Sequence, residues 1–236
     1  MKKISTLRRF IRFGVIALIV LATSCSNRIL SRNLRALHGR DSVTVVLYGP
    51  PLTGGRWMGG MMSPVNRNFA DKLGELLDAR VSVINNSAPD ATYVTAINYF
   101  GELFTSYRPD IVILMLGSRD ATMTGISSQA YREYVEELLT MFRDEGIFTV
   151  VLTGVGYQSF NPGYDRRLER LGEYNEITIW KALDTPVIDI GANMKRIRET
   201  APEEFRAMFA SEYVLNDSGK EYVFDFLLAR FRKVID

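Results

Sequence analysis

Five short apolar runs, separated by segments with helical spacing, constrain most strongly what this chain can fold into. Each run is rich in β-branched residues and continuous rather than alternating, as expected for a strand that is covered on both faces. The runs are 43–49, 81–85, 111–117, 149–154 and 187–191. Because strands and helices alternate, we predict a five-stranded parallel sheet with helices on both faces, a flavodoxin-like three-layer α/β/α sandwich.

The segments between the runs carry helix signals. Ser63 followed by Pro64 predicts a helix that begins there and ends at Leu77. Ser218 and Glu221 have the spacing of a capping box and predict the start of the last helix. Two apolar stripes each fall on one helical face: Tyr131, Val135, Leu138, Leu139 and Phe142, and Val223, Phe226, Leu227, Phe231 and Val234.

The first 24 residues are typical of a secretory signal peptide. Five basic residues precede an apolar run of ten residues at 13–22, which is shorter than the about 20 residues that a bilayer-spanning helix needs. The run ends in Leu-Ala-Thr-Ser-Cys at 21–25, which resembles the lipobox of bacterial lipoproteins. The resemblance implies cleavage before Cys25 and lipidation of its thiol. An ordinary secreted leader followed by an unmodified cysteine is the alternative.

This interpretation divides the chain into a signal peptide at 1–24, a lipidated Cys25 with a tether at 25–42, and one domain at 43–236. In the sorting pattern of double-membraned bacteria, Ser26 after the cysteine implies the outer membrane. Four arginines at 28, 32, 35 and 40 are interpreted as part of a solvated tether, with contact to anionic lipid headgroups as the alternative.

Charge and cysteine content exclude several classes of function. The chain has 29 basic and 27 acidic residues, and loss of the five basic residues of the leader leaves 24 against 27, a net charge of −3. A domain of this charge is not expected to bind nucleic acid. Cys25 is the only cysteine, so one chain contains no disulfide. The sequence predicts neither a cofactor nor a metal site, because no spacing of His, Cys and Asp is typical of one.

The candidate functional site is predicted where the strands end. In an open parallel sheet, ligands bind beyond the carboxyl ends of the strands, near the point where the strand order reverses. The segments expected at that edge are 49–53, 85–90 and 117–121, together with 211–219 before the last helix.

In these four segments the chain resembles the SGNH/GDSL hydrolases, a family of small α/β esterases and lipases. The resemblance extends over nearly all of 43–236 and includes Asn175 and the stretch 186–190. It implies the fold predicted above and an ester-hydrolysing site at the carboxyl edge. Framework residues of the family are kept: Gly49, Gly117, Asp120, Leu215, Asn216 and Gly219.

The residues that carry the family's chemistry are replaced. By this resemblance, Pro51 stands in place of the nucleophilic serine, after Pro50. Ser87 aligns with the glycine whose amide contributes to the oxyanion hole, and Arg119 stands in place of the asparagine that also binds the oxyanion. Ser211 and Val214 occupy the positions of the catalytic aspartate and histidine.

Elementary chemistry leads to the same expectation. Acyl transfer by a hydroxyl group requires a nucleophile, a base within hydrogen-bond reach and donors for the oxyanion. Proline at position 51 has neither a hydroxyl nor an N–H, and the only histidine, His38, precedes the first strand. We therefore predict no catalytic residues of the usual kind. The alternative is an esterase or deacylase of the envelope with a non-standard catalytic set built on Ser118, Ser87 or Asp120.

The same edge offers residues for ligand binding. Arg119 is expected to hold an anion together with free amides at helix N-termini, or alternatively to pair with Asp120, Asp90 or another local carboxylate and fill the pocket. These two carboxylates are predicted either to face each other across the cleft or to serve as a helix cap and a structural hydrogen-bond acceptor. Ser87 belongs to the same candidate set.

Trp57, in the glycine- and methionine-rich segment 54–62, is predicted to offer an apolar surface at the lip of the site, or alternatively to pack on the core. Two hypotheses follow for the whole chain: an inactive envelope protein that binds an anionic small molecule, a glycan or a protein partner, and the non-standard esterase.

Overall fold

The computed structural model describes residues 26–53, 63–182 and 184–236. Its main sheet has five parallel strands: β1 (Ser42–Tyr48), β2 (Arg80–Asn85), β3 (Ile111–Leu114), β4 (Phe148–Leu152) and β5 (Val187–Ile188). Their order is β2-β1-β3-β4-β5, so the strand order reverses between β1 and β3. The five-stranded parallel sheet predicted from the apolar runs is confirmed. The last three strands end earlier than predicted because the chain leaves the ladder to build the turns of the carboxyl edge.

The helices surround this sheet. They are α1 (26–37), α2 (Pro64–Leu77), α3 (Tyr93–Asn98), α4 (Phe100–Leu103), α5 (Ser128–Asp144), α6 (Asp165–Lys181), α7 (Ile190–Thr200), α8 (Pro202–Ala207) and α9 (Asp217–Ile235). A short antiparallel hairpin of β6 (Phe209–Ser211) and β7 (Val214–Leu215) precedes α9.

Two hydrophobic clusters cover the two faces of the sheet. Along β1, Val43, Val45 and Leu47 enter one cluster, whereas Val46 and Tyr48 enter the other, because successive side chains of a strand point to opposite faces. The first cluster contains apolar residues of α1, α2, α7, α8 and α9, and the second those of α3 to α6. The three-layer α/β/α arrangement is therefore confirmed.

The sequence signals for two helices are borne out in detail. Ser63 is the N-cap of α2, and its Oγ accepts a hydrogen bond from Asn66 N at 3.3 Å. The predicted stripe of α5 is buried throughout, and Tyr131 in it stacks on Tyr174 of α6 with ring centroids 3.7 Å apart.

The predicted cap of the last helix is wrong. The N-cap of α9 is Asn216, whose Oδ1 accepts from Gly219 N at 3.0 Å. Ser218 instead donates its hydroxyl to Asn216 Oδ1 at 2.8 Å. The N-cap therefore lies two residues earlier than the Ser218–Glu221 pattern indicates. The side chain of Asn216 accepts from the free amide of Gly219 in the first turn, which is the role of an N-cap residue.

The interpretation of 26–42 as a solvated tether is also wrong for 26–37. These residues form α1, and Leu30, Leu34 and Leu37 on one face of it are buried in the first core cluster. Leu residues at this spacing form a single apolar stripe, so the helix is part of the folded unit. The free energy gained by burying three leucine side chains favours this packed helix over a solvated, extended segment.

No helix in the described ranges is long and apolar enough to cross a membrane. The leader at 1–24 and Cys25 lie outside the described residues.

If α1 belongs to the folded unit, Leu34→Ala will lower the free energy of unfolding by about 2–5 kcal/mol, because the substitution leaves a cavity where a fully buried side chain was. Urea unfolding followed by far-UV circular dichroism measures the change. Arg32→Ala, on the exposed side of the same helix, is the control and should change stability by less than about 0.5 kcal/mol. Equal midpoints for the Leu34 variant and the wild type would show that α1 does not contribute to the fold.

Candidate functional site

The turn after β1 is rigid and closed. Gly49 has φ +149°, and a Cβ at this position would lie 2.1 Å from the carbonyl oxygen of Met115 on β3's extension, so only glycine fits. The following residues form a short 3₁₀ turn at Pro50–Leu52 whose three residues are buried. Asn85 Nδ2 donates to Leu52 O at 3.0 Å and ties the turn to the end of β2. We call residues 49–53 the diproline turn.

The diproline turn offers no group for acyl transfer at position 51. Pro51 is buried and has neither a hydroxyl nor an N–H. Thr53 is the nearest hydroxyl in the turn, and it donates to Pro50 O at 2.8 Å. The turn's one side-chain hydroxyl is therefore engaged in holding the turn itself.

Ser87 lies in the turn after β2 and is 2% exposed. Its amide, at the position that the resemblance assigns to the oxyanion hole, donates to Asn85 Oδ1 at 3.0 Å. Its hydroxyl has no hydrogen-bond partner among the described residues. The amide is thus committed to a local turn, and the hydroxyl is enclosed.

Asp120 is the buried anion that holds the turn after β3. Its Oδ1 accepts from Tyr93 N and its Oδ2 from Gly117 N, each at 3.1 Å. The side chain is 0% exposed. Burial raises the pKa of Asp120 to about 6, although the two amide donors and the nearby Arg119 favour the ionised form. Asp120 therefore joins the end of β3 to the start of α3.

Arg119, beside Asp120, is only partly buried. Its Nη1 donates to Thr122 Oγ1 at 3.0 Å, and that hydroxyl donates to Arg119 O at 2.7 Å. No carboxylate oxygen of the described residues lies within 4.0 Å of its guanidinium nitrogens; the ion pairs found there are formed by other residues. The alternative in which Arg119 pairs with Asp120 or Asp90 is therefore not what the structure shows in these ranges.

The expectation that Asp90 and Asp120 face each other is wrong. Asp90 is exposed, whereas both oxygens of Asp120 are turned inward to backbone amides. Asp90 does not cap α3 either, because Thr92 is the N-cap and accepts from Thr95 N at 3.1 Å. The structural alternative for Asp120, a hydrogen-bond acceptor, is the one observed.

Ser118 is fully buried and lies toward β4. A Cβ built on Gly154, after β4, would lie 2.9 Å from Ser118 Oγ, and Tyr157 OH donates to Ser118 O at 2.7 Å. The hydroxyl has no partner in the described part of the chain. A nucleophile needs a base within hydrogen-bond reach, and none of the described residues supplies one.

The hairpin β6–β7 contributes the fourth segment of the edge. Val214 begins β7, which packs against the diproline turn, and Ser211 at the end of β6 is exposed. A cavity of about 570 Å³ lies between these elements, lined among others by Thr53, Val214 and Lys220. The positions that the resemblance assigns to the catalytic aspartate and histidine thus carry an exposed hydroxyl and an aliphatic side chain.

Lys220 is a site residue that the sequence reasoning missed. Its side chain is buried in the first turn of α9, and its Nζ lies 3.2 Å from Oδ1 of the exposed Asp217. A lysine is rarely buried unless it is paired. The one sequence signal for this burial is the spacing of four residues between Asn216 and Lys220. A side chain at that position of a helix points back toward the helix N-terminus. Among its described lining residues, the cavity therefore has a buried cation, Lys220.

His38 lies at the opposite edge of the sheet. It follows α1 and precedes β1, so the seven residues of β1, at about 3.3 Å each, separate it from the carboxyl edge by roughly 20 Å. It is also exposed. The only histidine of the chain therefore lies too far away to act as a base at the diproline turn.

Two framework residues of the resemblance are structural. Asn175 on α6 accepts from Gly154 N at 2.8 Å and donates to Gly154 O at 3.1 Å. Asp189, in the stretch 186–190, is the N-cap of α7 and accepts from Thr153 Oγ1 at 2.7 Å. Both residues fix the turns that follow β4 and β5.

Trp57 and Cys25, predicted for the lip and for lipidation, lie outside the described residues. Within the described ranges, no group of three or more His, Cys, Asp or Glu residues is arranged to hold a metal ion.

The fold is similar to those of several esterases. A lipase/acylhydrolase from Enterococcus faecalis superposes with a TM-score of 0.63 at 20% identity, over 81% of this chain and 96% of that one. The acetylxylan esterase Axe2 from Geobacillus stearothermophilus gives a TM-score of 0.67 at 15% identity, over 84% and 96%. The acetyl xylan esterase AlAXEase gives 0.65 at 16%, over 79% and 98%. No family model and no curated protein matches the sequence significantly. At these identities the similarities establish the SGNH hydrolase-like fold.

The raised pKa of Asp120 predicts how stability changes with pH. The folded protein takes up this proton below about pH 6, whereas the unfolded chain does so only near pH 4. Acidification from about pH 7 to about pH 4 should therefore stabilise the wild type relative to Asp120→Asn by about 2–3 kcal/mol. Urea midpoints of both proteins across this range measure the difference. Asp90→Asn, the same change at an exposed carboxylate, should follow the wild type, and parallel profiles for Asp120→Asn and the wild type would contradict the assignment.

Proposed function

We propose that this chain is a lipid-anchored protein of the bacterial cell envelope, held at the outer membrane, whose SGNH hydrolase-like domain is catalytically inactive and binds a ligand or a partner protein. One observation carries the proposal: the turn after β1 contains a buried proline, Pro51, and is held by hydrogen bonds of Thr53 and Asn85. The nucleophile's place is filled by a side chain that can neither attack nor donate a proton.

The oxyanion position supports the same conclusion. The amide of Ser87 is bonded to Asn85 Oδ1, and Arg119 replaces the asparagine that the resemblance implies. Loss of one oxyanion donor costs about 10²–10³ in rate. With nucleophile and base missing as well, little acceleration remains.

The second candidate function is the non-standard esterase or deacylase of envelope acyl esters. It is favoured by the two buried hydroxyls without partners, those of Ser87 and Ser118, and by the esterases among the structures of similar fold. Enclosure counts against it, because both side chains are almost completely buried and an acyl carbonyl must reach a nucleophile within about 3–3.5 Å.

The ligand of the inactive domain is expected to be anionic. Arg119 lies at the end of β3 without a carboxylate partner in the described ranges, and Lys220 lines the cavity beside the diproline turn. Guanidinium and ammonium groups are the side chains that hold carboxylates, phosphates and acidic glycans. The observed burial limits the direct contacts of Asp120 and Ser87. Arg119 therefore carries this part of the proposal, and Lys220, which is buried and paired with Asp217, contributes through the cavity that it lines.

The purified protein should not hydrolyse p-nitrophenyl acetate or acetylated xylan above the rate of the buffer. A fluorophosphonate probe followed by intact-mass analysis should leave no serine adduct. Ser118→Ala and Ser87→Ala are the matched controls, since contaminating activity would persist in both. Turnover that disappears in one of them, together with an adduct on that serine in the wild type, would establish the esterase instead.

Anion binding is expected to depend on Arg119. Inorganic phosphate should raise the melting temperature of the wild type, and this rise should be lost in Arg119→Gln and reduced in Lys220→Gln. Differential scanning fluorimetry over a phosphate titration measures it, with a chloride titration at equal ionic strength as the reference. Arg132→Gln, on the exposed side of α5, should respond like the wild type. Equal shifts in Arg119→Gln and Arg132→Gln would contradict a site at Arg119.

Cys25→Ala tests the anchor. In a double-membraned bacterial host, the variant should accumulate as the unprocessed precursor and lose the acyl mass, because the thiol that is lipidated is gone. Fractionation and intact-mass analysis measure both. Ser24→Ala keeps a small residue beside the cleavage site and should be processed normally. A Cys25→Ala protein that is processed like the wild type would contradict lipidation.

A further inference from the structure

Helix α1 has two chemically different faces. Leu30, Leu34 and Leu37 are buried in the core, whereas the arginines at 28, 32 and 35 lie on the exposed side of the helix. The spacing of these arginines is i, i+4, i+7, so they form one row. The helix therefore places a row of cations away from the domain.

The end of α9 extends this row. Ser31 Oγ donates to Val234 O at 2.7 Å, and Arg35 Nη2 donates to Ile235 O at 3.0 Å, which fixes α1 against the last turn of α9. Arg230 and Lys233, near that end of α9, line a cavity of about 510 Å³ together with Arg28, Arg32 and Arg35. We call these five residues the α1/α9 cation surface. Two distant parts of the chain thus build a single basic surface.

The cations of this surface are not neutralised by described carboxylates. None of the five forms an ion pair within 4.0 Å in the described ranges, whereas two other cations, Lys72 and Arg40, are paired with Asp225 and Asp110. Arg230 lies over the ring of Phe226 at 5.7 Å, and Arg35 is bonded to a carbonyl. Arg28, Arg32 and Lys233 have no partner among the described residues. Like charges held this close repel each other, so an anionic surface would stabilise the arrangement.

The position of α1 next to the proposed lipid anchor indicates which anionic partner the cation surface would contact. The helix contains Ser26, whose Oγ accepts from Val187 N at 3.2 Å and fixes this end beside β5. Cys25, the residue proposed to carry the lipid, directly precedes it. Since the row of arginines starts three residues from that anchor, a membrane lies within reach of it.

The geometry points to a binding surface for anionic lipid headgroups, formed by the α1/α9 cation surface, that orients the domain on its membrane. This inference rests on the proposed anchor for its nearness to the bilayer. Each cation that reaches a headgroup strengthens the contact by about fivefold, and salt weakens it by screening.

The test follows the accessibility of one thiol. The full chain is produced in a double-membraned bacterial host and reconstituted into nanodiscs of phosphatidylcholine, with or without phosphatidylglycerol. Ala36→Cys, exposed on α1, reports on the surface, and Ala192→Cys, exposed on α7, is the matched control. Labelling by a charged maleimide is measured at each position and assigned by peptide mapping. We expect phosphatidylglycerol to slow labelling at position 36 by roughly fivefold or more and to leave position 192 unchanged.

Charge-reversal variants distinguish binding through the α1/α9 cation surface from general attraction of the domain's positive charges to an anionic membrane. The triple variant Arg28→Glu/Arg32→Glu/Lys233→Glu should lose the slowing at position 36. The control triple Arg67→Glu/Arg132→Glu/Arg166→Glu changes three exposed arginines elsewhere on the domain and should keep it. Far-UV circular dichroism of both triples shows whether they fold alike.

Equal labelling in the two kinds of nanodisc, or loss of the slowing in both triples, would overturn the proposal. Protection of position 36 in intact cells without protection in phosphatidylglycerol nanodiscs would assign the surface to an acidic protein and overturn it as well. Intact mass reports separately on acylation of Cys25. An unacylated chain whose labelling still responds to phosphatidylglycerol would contradict the anchor and support the surface.

Discussion

Burial of both faces of the parallel sheet is the constraint on which the rest of this structure depends. β1 shows it most clearly, because Val43, Val45 and Leu47 enter one core cluster and Val46 and Tyr48 the other. A strand of this kind must lie in the middle of a sheet with helices on both sides. Its parallel neighbours β2 and β3 lie on either side of it, and the turns at the carboxyl ends of the strands meet where the strand order reverses.

At that edge several polar groups form hydrogen bonds within the chain. Asp120 accepts hydrogen bonds from two backbone amides, Asn85 links the diproline turn to β2, and the amide of Ser87 donates to Asn85. In a hydrolase of this fold, such groups have to be available to a substrate at the moment of reaction. The arrangement instead satisfies these groups within the chain, which stabilises the edge. Arg119 has no carboxylate partner there in the described ranges, whereas Lys220 is paired with Asp217.

The two ends of the described chain meet in the same folded unit. α1 is joined to α9 by hydrogen bonds to the last carbonyls of that helix, and the leucines of α1 enter the core cluster to which α9 also contributes. Cations near a helix C-terminus are favoured by the helix dipole, which gives Arg35, bonded to the carbonyl of Ile235, a stabilising role in the isolated domain. A residue can hold the fold and meet a membrane at the same time, because its aliphatic part packs while its charged group stays outside.

The sequence by itself determined the layers and the order of the elements, because apolar runs of strand length and helical stripes are local patterns that burial imposes. It also predicts that ordinary acyl transfer is absent, since Pro51 and the single histidine, which precedes the first strand, are read directly from the chain. Only the tertiary structure decided which polar residues face inward. Asp120 and Asp90 look equivalent in sequence, yet one is buried among amides and the other is exposed. The same holds for α1. Its arginines suggest a solvated tether in sequence, whereas in the structure its leucines are buried in a core cluster with residues of α2, α7 and α9. Such outcomes depend on contacts between residues far apart in the chain, which no local sequence pattern encodes. The burial of Lys220 and the shared cavity of Arg28 and Lys233 are of the same kind.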